Sequence, residues 1–225
     1  MKFSGIQKTS LLDYPDRMAS VLFTPGCNLR CPFCHNWKIV LNPQPPFLQE
    51  ETVLRILESR KKYVDAVVIT GGEPTIHKEL PRFLKKLKDK GFAVKLDTNG
   101  FNAQVLEECL PYVDFVALDV KTSLEKYEKL GAQNTADFLR TVEILKTGKI
   151  AYEFRTTVVP GFVDAEDIAR IGEVVKGAEA FAFQQFIPED TLDKRFTGLK
   201  PYSPEVIGKY AEAMKEYVGK LMLRI

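Results

Sequence analysis

From residue 19 almost to its end the chain alternates short apolar runs with amphipathic segments, and this alternation restricts the fold more than any other feature. Ala19 to Thr24 (ASVLFT), Asp65 to Thr70 (DAVVIT), Phe92 to Asp97, Val113 to Val120, Tyr152 to Val159 and Ala180 to Phe186 are apolar, β-branched or aromatic stretches of strand length. Helical periodicity fills the intervals at Glu50 to Lys62, Glu79 to Lys90, Ala103 to Leu110, Leu124 to Thr147 and Asp167 to Lys176, and Pro204 to Lys220 closes the chain as a helix. Leu80, Phe83, Leu84 and Leu87 recur at the spacing of one helix face, and Gly91 supplies the stop. Strands that return through helices pair in parallel by right-handed crossovers, so six units predict an α/β fold, a curved, incomplete (β/α)6 parallel barrel. With 225 residues, 45% of them hydrophobic, one core suffices, and residues 1–225 are expected to form a single domain.

That architecture predicts where chemistry belongs, because the C-terminal strand ends and the loops after them form the active face of parallel α/β barrels. Strand one delivers into PGCNLRCPFCHNW, which holds three of the four cysteines: Cys27, Cys31 and Cys34. Three thiolates at C-x3-C-x2-C can surround one iron–sulfur cluster and leave one iron without a protein ligand. The same spacing would suit one face of a helix, but Gly26 precedes the run and Pro32 interrupts it. An internal proline costs a helix about 3 kcal/mol, so the stretch reads as a loop wrapped around something. Two other metal readings compete. CPFCH has the form of a c-type haem attachment but leaves Cys27 unexplained, and zinc could recruit the three cysteines with His35 or His77.

Further candidates fall at the other strand ends. Gly71 and Gly72 allow a close backbone approach, with Glu73 as an acceptor beside them; an ordinary strand-to-helix turn is the bland alternative. Asp97, Thr98 and Asp119 could hold a small cation through hard oxygen ligands or could simply cap helices. Lys121 and Arg155 are cations suited to a ligand carboxylate, and Gln184 and Gln185 end strand six as polar amides. Cys109 sits among leucines in a helix and reads as a small buried hydrophobe outside the cluster. A net charge of +2 speaks against nucleic-acid and anionic-membrane binding. No apolar run approaches the ~20 residues of a membrane span, and clustered cysteines with no disulfide framework fit a reducing cytoplasm.

CNLRCPFC together with GGEP after the second strand resembles the signature of radical S-adenosylmethionine (SAM) enzymes. TSLLDYPDR, TPGCNLRCPFCHN, LDTNGF, LDVK and RTTVVPG are similar to the branch that activates glycyl radical enzymes, the likeness being greatest to activators of anaerobic ribonucleotide reductase, with those of pyruvate formate-lyase related. The resemblance implies that Cys27, Cys31 and Cys34 bind a [4Fe-4S] cluster whose open iron is chelated by SAM. It places Phe33 and His35 beside the adenine, and Gly71, Gly72 and Glu73 at the methionine amino group. Asp119, Lys121 and Arg155 would line the SAM site, and Asp97, Thr98 and Asp119 would match a monovalent-cation site. Gln184 and Gln185 stand where some activating enzymes carry a histidine, and no cysteine-rich insertion offers auxiliary clusters. The implied partners are a large glycyl radical enzyme, namely anaerobic ribonucleotide reductase, and a low-potential electron donor. The alternatives are a radical SAM enzyme acting on a small molecule of the deazapurine-precursor type, and a non-catalytic iron–sulfur or zinc module.

Overall fold

The computed structural model describes all 225 residues, and its contacts gather them into two compact units. The first comprises Met1–Cys27, Asn36–Thr98 and Gln104–Val116; the second comprises Asn28–His35, Asn99–Ala103 and Ala117–Ile225. No helix is long and apolar enough to cross a membrane.

The first unit carries β1 (Lys2–Phe3), β2 (Gly5–Ser10), β3 (Ala19–Thr24), α1 (Trp37–Leu41), β4 (Leu48–Gln49), α2 (Glu50–Arg60), β5 (Ala66–Gly71), α3 (Leu80–Asp89), β6 (Ala93–Thr98) and most of α4 (Ala103–Cys109). β3, β5 and β6 pair in parallel, with Val21 opposite Val68 and Ile69 opposite Leu96. Ala66, Val67, Val68 and Ile69 are all fully buried, as a strand covered on both faces must be. α3 buries Leu80, Phe83, Leu84 and Leu87, each contributing about 1.5–3 kcal/mol relative to exposure. Its end is a Schellman turn: Gly91 at φ +77° lets its own N–H reach Lys88 O at 2.8 Å, while Phe92 N–H reaches Leu87 O at 3.1 Å.

The second unit takes over within β7 (Phe115–Asp119) and continues through α5 (Ala136–Lys146), β8 (Ala151–Val158), α6 (Ala165–Val175), β9 (Ala178–Gln185), α7 (Pro204–Met214) and β10 (Val218–Arg224). β8 pairs in parallel with β9, bringing Phe154 opposite Phe181 in a fully buried layer. Tyr127, Phe138 and Phe101 form a second aromatic centre, with Tyr127 and Phe138 centroids 5.0 Å apart. α6 starts with a capping box between Asp164 and Asp167.

Two expectations need correction. The closing helix ends at Met214 instead of running to Lys220, and β10 follows it as a further parallel strand beside β9. VGKLMLR mixes charge and apolar residues with little burial, so it has the composition of a helix tail; Glu153, 2% exposed, anchors it through Arg224 at 2.6 Å. At the other end, β2 pairs antiparallel with β3 before the six expected strands begin. Its GIQKTS sequence is mostly polar because it forms an edge, and an edge strand lacks the apolar run that signals a buried one.

Candidate active site

In the first unit the site is built where β3 and β5 end side by side, Thr24 opposite Gly71. Gly72 N–H donates to Thr24 O and Glu73 N–H to Gly26 O, both at 2.9 Å. The backbone that the two glycines admit is therefore the start of the chain's own cysteine segment. A Cβ on Gly72 would lie 1.7 Å from Gly26 O, and one on Gly71, at φ +110°, would lie 2.5 Å from Thr24 N. Asn36 Nδ2 donates to Gly71 O at 2.8 Å, and His77 Nε2 donates to Pro25 O at 2.8 Å. Both residues secure the cysteine segment; Asn36 is not among the predicted site residues, and His77 is predicted only as a zinc ligand. The only signals were their positions, Asn36 directly after CH and His77 four residues after Glu73.

Glu73 is 1% exposed, and burial of a carboxylate demands donors. Its Oε1 accepts from Thr75 N at 3.0 Å, Thr75 Oγ1 at 2.7 Å and Thr98 Oγ1 at 2.8 Å. This makes Glu73 a fastening between the ends of β5 and β6. Asp97, predicted as a cation ligand, is ion-paired with buried Lys95 at 2.5 Å, and Thr98 serves Glu73. In the same unit Cys109 is fully buried; burial above all, then Glu108 and Glu73, pushes its thiol up to about 12.

In the second unit, residues 28–35 are tied down by backbone bonds. Arg30 N–H donates to Leu130 O at 2.7 Å, Asp193 N–H to Pro32 O at 2.8 Å and Leu192 N–H to Cys34 O at 3.2 Å, while Cys34 N–H closes a turn on Cys31 O. Phe33 packs against Phe162 and Phe196, at 5.2 and 6.3 Å between centroids. His35 Nε2 donates to Ile187 O at 2.7 Å, with its ring stacked on Phe186. Gln185 turns its amide to the carbonyls of Phe186 and Tyr202.

Asp119, Lys121 and Arg155 come together in one cluster of charges. Arg155 Nε lies 2.8 Å from Asp119 Oδ1 and Lys121 Nζ lies 3.3 Å from Oδ2. Tyr127 OH accepts from Lys121 N–H at 3.0 Å and so fixes the backbone beyond β7. Burial alone would raise the Asp119 carboxyl, but Arg155 and then Lys121 outweigh it and hold the group down to about 2. A depressed carboxyl stabilises the fold above its ordinary value of 3.8, and the contribution is lost as pH falls to about 2. Asp119→Asn is therefore expected to cost about 1–2 kcal/mol at neutral pH. That difference should vanish between pH 3.8 and about 2 in urea midpoints compared across a pH series. Equal midpoints at neutral pH would show that the cluster of charges contributes nothing to stability.

None of the four cysteines forms a disulfide. The donor set at Cys27, Cys31 and Cys34 is thus reduced and soft, as an iron–sulfur cluster requires, while Cys109 is fully buried.

Comparison with known proteins gives this geometry its context. The radical SAM superfamily matches residues 21–172. A Methanocaldococcus jannaschii protein named as a glycyl-radical enzyme activating enzyme is 35% identical over 230 residues, spanning 98% of this chain and 95% of its own. A pyruvate formate-lyase-activating enzyme of Staphylococcus aureus is 30% identical over 205 residues, 84% of this chain and 80% of that one. Among solved structures, Streptococcus suis SuiB bound to S-adenosylmethionine superposes with a TM-score of 0.68 at 16% identity, over 90% of this chain and 51% of SuiB. The chain belongs to the radical SAM superfamily and, within it, to the glycyl-radical enzyme activating enzymes.

Proposed function

We propose that the protein generates a glycyl radical on a large partner enzyme, and that this partner is an anaerobic ribonucleotide reductase. The observation that carries the activase reading is the likeness, at 35% identity, to a named activating enzyme over 98% of the chain. The choice of the reductase rests on analogy: TSLLDYPDR, LDTNGF and RTTVVPG are similar to activators of glycyl radical enzymes, the likeness being greatest to those of the reductase.

In this reading Cys27, Cys31 and Cys34 hold a [4Fe-4S] cluster, with SAM at its open iron. When bound, these groups supply a one-electron cleavage of the sulfonium and a carbon radical able to take a hydrogen atom. The chain's own residues supply position and field. Gly71 and Gly72 admit the cysteine segment against the end of β5, and Glu73 locks that corner to Thr98. Asp119 remains ionised at every physiological pH and orients Arg155 and Lys121, whose charges suit a ligand carboxylate. Phe33 and His35 offer aromatic surface for a nucleobase. The possible monovalent cation has less to do than the sequence suggests, because Lys95 already neutralises Asp97 and Arg155 neutralises Asp119.

The test is to mix reduced protein, SAM and either an anaerobic ribonucleotide reductase or pyruvate formate-lyase without oxygen. A glycyl radical doublet in the EPR spectrum of the reductase, with stoichiometric 5′-deoxyadenosine, is expected. A doublet only in pyruvate formate-lyase would reassign the partner. Turnover of a small purine precursor with no radical on either enzyme would replace the activase reading altogether.

A further inference from the structure

Within the second unit, the fully buried Asp167 does more than start a helix. It forms the capping box of α6 with Asp164, which needs only those two side chains and the helix's own backbone. Its carboxylate also takes two donors from elsewhere: Ser123 Oγ donates to Oδ1 at 2.7 Å and Lys126 Nζ to Oδ2 at 2.5 Å. Both donors belong to the stretch after β7, the one that carries Lys121. Lys126 further reaches Gly161 O at 3.3 Å and Asp164 Oδ2 at 3.4 Å, and Asp164 accepts from Gly161 N–H at 2.8 Å and Tyr202 OH at 2.6 Å. One network thus holds the segments that follow β7, β8 and β9.

Lys121 stands in the part of the chain that this network fixes. On one side of it, Val120 N–H donates to Arg155 O at 2.8 Å and Thr156 Oγ1 to Val120 O at 2.7 Å. On the other, Thr122 Oγ1 donates to Phe162 O at 2.5 Å, and Ser123 follows. Val120, Thr122 and Ser123 are each 1% exposed, so Lys121 is the one residue of the run whose side chain leaves the core. A buried Lys–Asp pair returns little net stability over apolar residues of the same volume, because both charges must be desolvated. What the pair of Lys126 and Asp167 sets is geometry, and the residue placed by it lies 3.3 Å from Asp119. We propose that Asp167 is a positioning residue for SAM binding: through Ser123 and Lys126 it fixes the Lys121 ammonium beside Asp119 and Arg155, where the carboxylate of SAM is received. Asp167 acts through these residues and not by touching the ligand. The inference rests on the reading of Lys121 and Arg155 as the cations that meet that carboxylate.

The test uses the anaerobically reconstituted full chain, with SAM affinity measured by calorimetry and iron content determined for every variant. Asp167→Ala should bind SAM about tenfold more weakly, and Ser123→Ala, which leaves the pair of Asp167 and Lys126 in place, about threefold more weakly, both with full iron. Arg170→Ala is the control: Arg170 joins α6 to Glu125 of the same stretch through an exposed pair at 3.9 Å, and its loss should leave SAM affinity unchanged. The deciding measurement is a double-mutant cycle with Lys121→Met. Because Asp167 acts through Lys121, its removal should weaken binding no further in the Lys121→Met background, whereas a purely structural role predicts losses that multiply. If Asp167→Ala does not fold, the same cycle is run with Ser123→Ala. Multiplying losses, wild-type affinity in Ser123→Ala, or an equal loss in Arg170→Ala would overturn the positioning role and leave the SAM site as read. Wild-type affinity in Lys121→Met would overturn the carboxylate reading and this inference with it.

Discussion

Replacing any one of Cys27, Cys31 or Cys34 by Ala should yield a colourless protein with no iron–sulfur absorbance and no EPR signal after reduction, where the parent is brown and its spectrum changes on addition of SAM. A [4Fe-4S] cluster held by three thiolates has no spare ligand among them, so loss of one leaves two irons open. The fourth cysteine cannot substitute. Cys109 is fully buried in α4, and its thiol is pushed up to about 12 by burial, Glu108 and Glu73, so the thiolate that metal binding needs is strongly disfavoured. Cys109→Ala should accordingly retain the full cluster signal. Iron analysis and EPR on the four single variants decide the matter: a SAM-responsive signal surviving in all three loop variants, or lost in Cys109→Ala, would refute the ligand assignment.

The parts of the molecule that could be read in advance are those whose sequence carries one strong physical demand. Strands buried on both faces must be apolar throughout, which is why DAVVIT and ASVLFT mark β5 and β3 to within a residue. Edge strands obey no such demand, and β2 and β10 stayed hidden among polar residues. The candidate site divides in the same way. Thiolate spacing announced the cysteine segment, and Lys121 and Arg155 could be singled out as cations, but not that both would turn to Asp119, since Arg155 reaches it from within β8. Which carboxylate pairs with which group is a matter of register. Lys95, two residues before Asp97 and so on the same face of β6, appears in the sequence as one more lysine in a lysine-rich chain, yet it is 2% exposed and claims that carboxylate. Glu73 likewise had the chemistry of a ligand group, but its Oε1 accepts from Thr75, two residues on in a local cap, and from Thr98 at the end of β6, the second a pairing that no local pattern specifies.

The glycine pair carries the other large expected effect. Gly72→Ala should both destabilise the fold and empty the cluster site, although residue 72 is not a cluster ligand. An alanine Cβ would stand 1.7 Å from Gly26 O and 2.7 Å from Gly26 C. These are backbone atoms, so no side-chain rotation relieves the overlap. The Gly26–Cys27 peptide would have to withdraw, breaking the 2.9 Å bond from Glu73 N–H to Gly26 O and displacing Cys27 directly. Forced overpacking of this kind costs about 3 kcal/mol when the surroundings cannot yield. Here they yield poorly, because Thr24 accepts from Gly72 N–H and His77 grips Pro25 O. Gly177→Ala is the opposite control: at φ +82° it carries the left-handed backbone strain that Gly72 lacks, yet nothing lies within 4 Å of the added carbon. It should lose only about 1 kcal/mol and bind iron normally. Urea midpoints combined with iron content per chain separate the two outcomes. A Gly72→Ala protein with parental stability and a full cluster would mean that the glycines face a ligand rather than the cysteine segment's own backbone.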